Sequence, residues 1–192
     1  MFPASEGEAL MLPFSNKKSV PARPHAFHAE TEIERSANEV YPLLDFADPR
    51  NAKRQLGDTV RPASGKPGSF ELEMGILPDA IFRLKVTREL PNREYGFDCA
   101  SEPLFGRVVR SNEHYSLEDL GEGRCRLSLT NTVHFDGRLH EQEFAMEAMM
   151  LDFSGRSALA KFKLHAEQGA EAVKEYERAQ FGALDDLDWV ND

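Results

Sequence analysis

The sequence predicts an α+β fold: a curved antiparallel sheet of about seven strands closed by one long C-terminal helix, with two short helices after strand 1. Three observations predict it. Apolar and polar residues alternate with period two through most of residues 70–135, and turn signals separate the runs. One segment, about 138–178, keeps helical periodicity far longer than any other. A sheet with one apolar face must be covered, and only that helix is large enough to do it.

The first strand is "FHAETEIE" (27–34), with Phe27, Ala29, Thr31 and Ile33 on one face and charges on the other. Ser36 followed three residues later by Glu39 has capping-box spacing and starts a short helix, which Pro42 shortens or kinks. A second short helix is expected over "DPRNAKRQL" (48–56), beginning at Asp48-Pro49. Strands follow. Phe70, Leu72, Met74 and Ile76 alternate with polar or small residues, and a Pro78-Asp79 turn leads to Ala80, Phe82, Leu84 and Val86. Tyr95, Phe97 and Cys99 share a face after the Pro91-Asn92 turn; Val109, Ser111, Glu113, Tyr115 and Leu117 share the next. Cys125, Leu127, Leu129, Asn131, Val133 and Phe135 form the last.

Centring the 118–124 turn on Glu122 sets Tyr115 opposite Leu129 and Glu113 opposite Asn131. The Pro91-Asn92 turn sets Val86 opposite Phe97 and Arg88 opposite Tyr95; a turn near Pro103 sets Tyr95 opposite Ser111 and Phe97 opposite Val109. All the apolar sets then fall on one side, which a one-residue slip would undo. The helix is expected to bend near Gly155 or Gly169. Residues 1–25 read as an extended arm with four prolines, docked by Leu12 and Phe14. Residues 26–180 are expected to form one folded domain, and 181–192 an acidic tail, either disordered or a short partner motif around Trp189.

A net charge of −10 argues against sequence-independent binding to nucleic acid or anionic lipid, both of which need clustered Lys and Arg. Two cysteines, Cys99 and Cys125, are too few for a disulfide framework and read as buried thiols. The run "ALML" (9–12) ends at Pro13 and lacks the basic flank of a secretory signal. No stretch reaches the roughly 20 apolar residues of a membrane span. A cytoplasmic location is the expectation.

This order of elements resembles the START-like superfamily, also called SRPBCC, which includes lipid-transfer START domains, polyketide cyclases and dehydrases, birch-pollen-allergen-like proteins and Hsp90-activator-like domains. The resemblance lies in "FHAETEIERSANEVYPLLDFADPRNAK", in the hairpin "HYSLEDLGEGRCRLSLT" and in the closing "GRSALAKFKLHAE", together spanning about residues 27–180. It implies a helix-grip fold, with an apolar cavity between the sheet and the long helix, and a binder, carrier or cyclase of hydrophobic small molecules or lipids. The superfamily shares no universal catalytic set, so no catalytic residue carries over.

The residues themselves point to a cavity that is not purely apolar. Tyr95, Ser111, Glu113, Tyr115 and Asn131 sit on the apolar face with Phe82 and Phe97, and Arg88 lies nearer the rim. A carboxylate in an apolar cavity costs several kcal/mol unless it is paired or takes a proton. Glu113 therefore has three readings: a satisfied structural acid bonded to Asn131 and Tyr95, a ligand anchor, or a general acid/base. On the helix, Leu139, Met146, Met149, Met150, Phe153, Ala160 and Leu164 fall on one side and are expected to form the cavity wall, where flexible methionines suit a variable ligand. A second stripe, Phe144, Ala148, Leu151, Leu159 and Phe162, then needs its own cover, from the N-terminal arm or from a second subunit in a homodimer.

"HEQEF" (140–144) begins like a helical zinc motif, but Phe144 stands where the second histidine belongs, so no metal is expected. "FSGRS" (153–157) lacks the nucleophile-elbow pattern, "GEGRCR" is a hairpin turn, and no cofactor is expected. Three functions remain. One is a hydrophobic-ligand binder or carrier; another is a cyclase, dehydratase or isomerase using Glu113 or Tyr115; the third is a protein-interaction module of co-chaperone or regulatory type.

Overall fold

The structure, a computed structural model, describes residues 20–21, 23–104 and 106–185. Most of the expected arm and the end of the acidic tail lie outside the described residues. In chain order the elements are β1 (Val20–Pro21), β2 (His25–Ile33), α1 (Ala37–Leu44), α2 (Ala52–Leu56), β3 (Thr59–Pro62), β4 (Ser69–Met74), β5 (Leu77–Leu90), β6 (Glu94–Glu102), β7 (Val108–Gly121), β8 (Arg124–Phe135), β9 (Arg138–Leu139), α3 (Glu141–Gln168) and α4 (Ala170–Asp185). Seven strands make one antiparallel sheet in the order β2-β8-β7-β6-β5-β4-β3, and α3 lies against it. β1 and β9 form a separate ribbon at the foot of α3. The fold is α+β, as the alternation predicts. No helix among the described residues is long and apolar enough to cross a membrane.

Local chemistry fixes the two short helices. The Ser36 N–H and hydroxyl both donate to Glu39 Oε2, at 3.0 and 2.6 Å, at the start of α1. Asp48 accepts from the Arg50 N–H instead of starting a helix, and α2 begins only at Ala52, with Asn51 as its N-cap. The Asn51 side chain caps the Lys53 N–H at 3.1 Å and donates back to the carbonyls of Leu43 and Leu44. Gly57, at φ 103°, ends α2 in the left-handed region.

The β7–β8 register is the expected one, with Glu113 opposite Asn131 and Tyr115 opposite Leu129. β6–β7 slides by four, pairing Tyr95 with Tyr115 and Cys99 with Ser111, and an even slide leaves the faces unchanged. The β5–β6 hairpin departs from expectation. Val86 faces Phe97 as predicted, but a bulge before Arg88 pairs it with Gly96. The extra residue turns Arg88 to the outside, where its Nε donates to Glu94 at 2.7 Å, so Arg88 is not at the cavity rim. A second bulge, between Val108 and Arg110, leaves Val109 exposed.

The helical segment breaks at Gly169 (φ 91°), not at Gly155, which lies inside a continuous α3. Gly155 packs on β2 so closely that a Cβ there would stand 2.5 Å from Phe27 Cε1. Leu159 and Phe162 follow it into the main core, while Phe144 and Leu151 pack on Val133, Phe135 and Leu139. The two helix faces are therefore exchanged relative to the sequence expectation. Met146, Met150 and Phe153, expected on the cavity wall, are exposed, and the second stripe faces the sheet.

Replacing Gly155 with Val is expected to lower stability by about 2 kcal/mol, as overpacking does, despite the better helix propensity of the new residue. Urea unfolding of the two proteins measures it.

Candidate functional site

A cleft of about 390 Å³ opens between α2, the β4–β5 turn, α3 and α4. Met74, Tyr115, Leu159, Phe162 and Val173 supply its apolar wall. Two ion pairs stand at it, Lys53 with Asp58 at 3.8 Å and Lys161 with Glu177 at 2.8 Å. A hollow of about 510 Å³ by the 62–70 loop is wider, but it is a shallow surface depression distant from Glu113 and Tyr115.

Tyr115 lines the cleft and its hydroxyl donates to Glu113 Oε2 at 2.9 Å. Both side chains are half-buried: Tyr115 faces the cleft, and Glu113 lies behind it. Burial raises the Glu113 pKa; the Tyr115 hydrogen bond and the Lys53 charge oppose it without reversing it. Burial also pushes the Tyr115 phenol well above its ordinary value, and the Glu113 charge adds to this. Across the ladder, Asn131 pairs with Glu113 on one side and Phe27 on the other, and its buried Oδ1 has no partner. Glu113 thus takes its hydrogen bond from Tyr115, and not from Asn131 or Tyr95.

Neighbouring positions divide between site and core. Ser111 faces Cys99, whose thiol burial pushes up to about 12, so it stays protonated. Phe97 and half-buried Phe82 belong to the main core. Tyr95, only 1% exposed, fills space: its Oη accepts the Phe46 N–H at 3.1 Å, and the Phe46 ring packs 4.9 Å from Phe97. Phe46 closes the part of the cavity that the sequence assigns to Tyr95.

Two residues of the site were not legible in the sequence. Lys53 reads there as a solvated charge; only the Asn51 cap aims α2 so that its ammonium approaches Met74 Sδ, at 3.7 Å, and the Glu113 carboxyl. His165 is 4% exposed, with Nε2 2.8 Å from Gln55 Oε1, and burial lowers its pKa. It ties α3 to α2 as a neutral imidazole. His140, the first residue of the zinc-like stretch, is the N-cap of α3, its N–H donating to Glu143 Oε2 at 2.7 Å. Among the described residues no three His, Cys, Asp or Glu side chains converge as metal ligands.

No family model and no curated protein matches the chain. In structure it is similar to Ara h 8.0201, at 10% identity and a TM-score of 0.58 over 75% of this chain and 98% of that one. It is also similar to the Zhui aromatase/cyclase from Streptomyces sp. R1128, at 14% identity and a TM-score of 0.53 over 84% and 98%. The fold is START-like. The chain is similar too to the di-domain ARO/CYC BexL, at 17% identity and a TM-score of 0.51 over 75% of this chain and 50% of that one. At such identities the likeness establishes the helix-grip architecture and leaves the chemistry to the residues.

The raised Glu113 pKa carries a sign for stability. Stability tied to the neutral acid is fully present below about pH 4.5 and is lost as pH rises through the folded-state pKa. Each unit of upward shift costs about 1.4 kcal/mol above that range. Glu113→Gln is expected to escape the loss, so its stability advantage grows with pH from about 4.5 upward before levelling. Urea unfolding at stepped pH reads the difference between the two proteins.

Proposed function

We propose that this protein binds a hydrophobic small molecule in the cleft bounded by α2, the β4–β5 turn, α3 and α4, with Tyr115 and the Glu113 behind it holding its polar end. The observation that carries this reading is a phenol, Tyr115, that lines a cleft of about 390 Å³, a size typical of small-molecule sites, while its hydroxyl is held by the Glu113 carboxyl behind it. A core that only needed filling would not bury a carboxyl there, because each such group costs several kcal/mol.

The pair also limits the ligand chemistry. The Tyr115 hydroxyl is committed to Glu113 Oε2, and a neutral Glu113 keeps its own O–H to donate. An uncharged, largely apolar molecule with an acceptor oxygen, such as a carbonyl or hydroxyl, fits that donor. An anion does not, since ionic groups at the cleft are already paired. The same START-like fold carries the name aromatase/cyclase in two structural neighbours, in keeping with a small-molecule site.

A second reading of the same pair is proton transfer of cyclase or dehydratase type. A raised carboxyl pKa beside a phenol is what general acid catalysis near neutral pH needs. Glu113→Gln separates the two, because it retains a binding hydrogen bond and removes the proton donor.

Binding is tested by native mass spectrometry of the purified protein, with solvent extraction of anything retained, and by titration with a fluorescent apolar dye. Ala158 lines the cleft on α3. Ala158→Trp is expected to weaken dye binding about tenfold or more while leaving circular dichroism unchanged, since a bulky ring removes most of the apolar contact area. Equal dye affinity in the two proteins, with nothing co-purifying, counts against the cleft as a ligand site.

A further inference from the structure

The first half of α3 carries an uncovered apolar face. Met146, Met149, Met150 and Phe153 are 57%, 64%, 60% and 76% exposed, on the side of the helix away from Gly155 and β2. Single exposed hydrophobics are ordinary, but four contiguous ones on a helix mark a docking surface. Three observations bear on what covers it. β1 pairs with β9 (Val20 with Leu139), so the chain reaches the foot of this helix at residue 20, with nineteen residues still upstream. Those residues include the apolar run "ALMLPF" (9–14), followed by Lys17 and Lys18. The helix segment 141–152 carries Glu141, Glu143, Glu147 and Asp152 and no Lys or Arg.

We propose that the run Ala9–Phe14 of the same chain covers the Met146–Phe153 face, with Lys17 and Lys18 set toward the acidic first turns of α3. The distances allow it. At about 3.3 Å per extended residue, the stretch from Val20 back to Phe14 spans about 20 Å and to Leu10 about 33 Å. From its first residue, Glu141, the helix rises about 8 Å to Met146 and about 18 Å to Phe153. A second copy fits less well. A stable interface between chains buries about 800 Å² on each partner, more than four side chains of one helix provide. A tethered segment binds intramolecularly and needs far less area.

Hydrogen peroxide oxidation, followed residue by residue with peptide mass spectrometry, tests the proposal on the full chain. Two comparison proteins are used: the chain starting at Val20, and the full chain carrying Leu10→Asp, Leu12→Asp and Phe14→Asp, which serves if the shorter chain folds poorly. Met146, Met149 and Met150 are expected to oxidise about fivefold faster or more in both, with Met74 unchanged as the internal reference. Equal rates in the full and substituted chains overturn the proposal. So does protection of the full chain that disappears on dilution as native mass spectrometry shows dimers dissociating, because a second copy is then the cover.

Discussion

The contact between Gly155 and the Phe27 ring sets the rest of the molecule. A Cβ at 155 would stand 2.5 Å from that ring, so only a residue without one lets α3 lie this close to β2. Polar contacts on either side hold the helix at that rotation. His25 bonds Asp152 at 2.7 Å, the Lys163 ammonium donates to the Glu32 carbonyl at 2.6 Å, and the Glu34 N–H donates to Glu167 at 2.8 Å. Once the rotation is set, Leu159 and Phe162 must face the sheet and the methionine stripe must face away.

That rotation also places the cleft. Leu159, Phe162 and His165 come to the cleft from α3, and Lys53 arrives from α2 because Asn51 and Gly57 fix where that short helix begins and ends. Phe46, between the two short helices, packs into the aromatic group of Phe70, Tyr95 and Phe97. What remains open is the space around Tyr115, with Glu113 hydrogen-bonded behind it. Such surroundings favour the protonated acid, because desolvation penalises the charge more than the Tyr115 hydrogen bond and the Lys53 ammonium favour it. The cleft thus has an apolar wall of Met74, Tyr115, Leu159, Phe162 and Val173 and a rim of paired charges.

The errors of the sequence reading have local causes. Arg88 moved outside because one bulge added a residue to β5, and a single added residue reverses every face beyond it. The β6–β7 hairpin slid by four without consequence, because an even slide preserves which side chains point inward. Tyr95 kept its face and lost its expected role: Phe46, from a loop with no periodicity to read, covers it. Lys53 and His165 belong to the site through helix placement alone, and nothing in their sequence neighbourhoods distinguishes them from ordinary surface and core positions.

By itself, the sequence determined the sheet, the two short helices, the long helix and the inward set of Phe97, Glu113, Tyr115 and Asn131. Those features follow from periodicity, capping and hairpin turns, which act over a few residues. Only the tertiary structure decided which stripe of α3 meets the sheet, that Phe46 fills one end of the cavity and that Lys53 stands near Glu113. Two apolar stripes on one helix are equivalent until something packs against them. What broke the equivalence was the absence of a side chain at Gly155 opposite a ring on a strand more than a hundred residues earlier, a contact that no local pattern records.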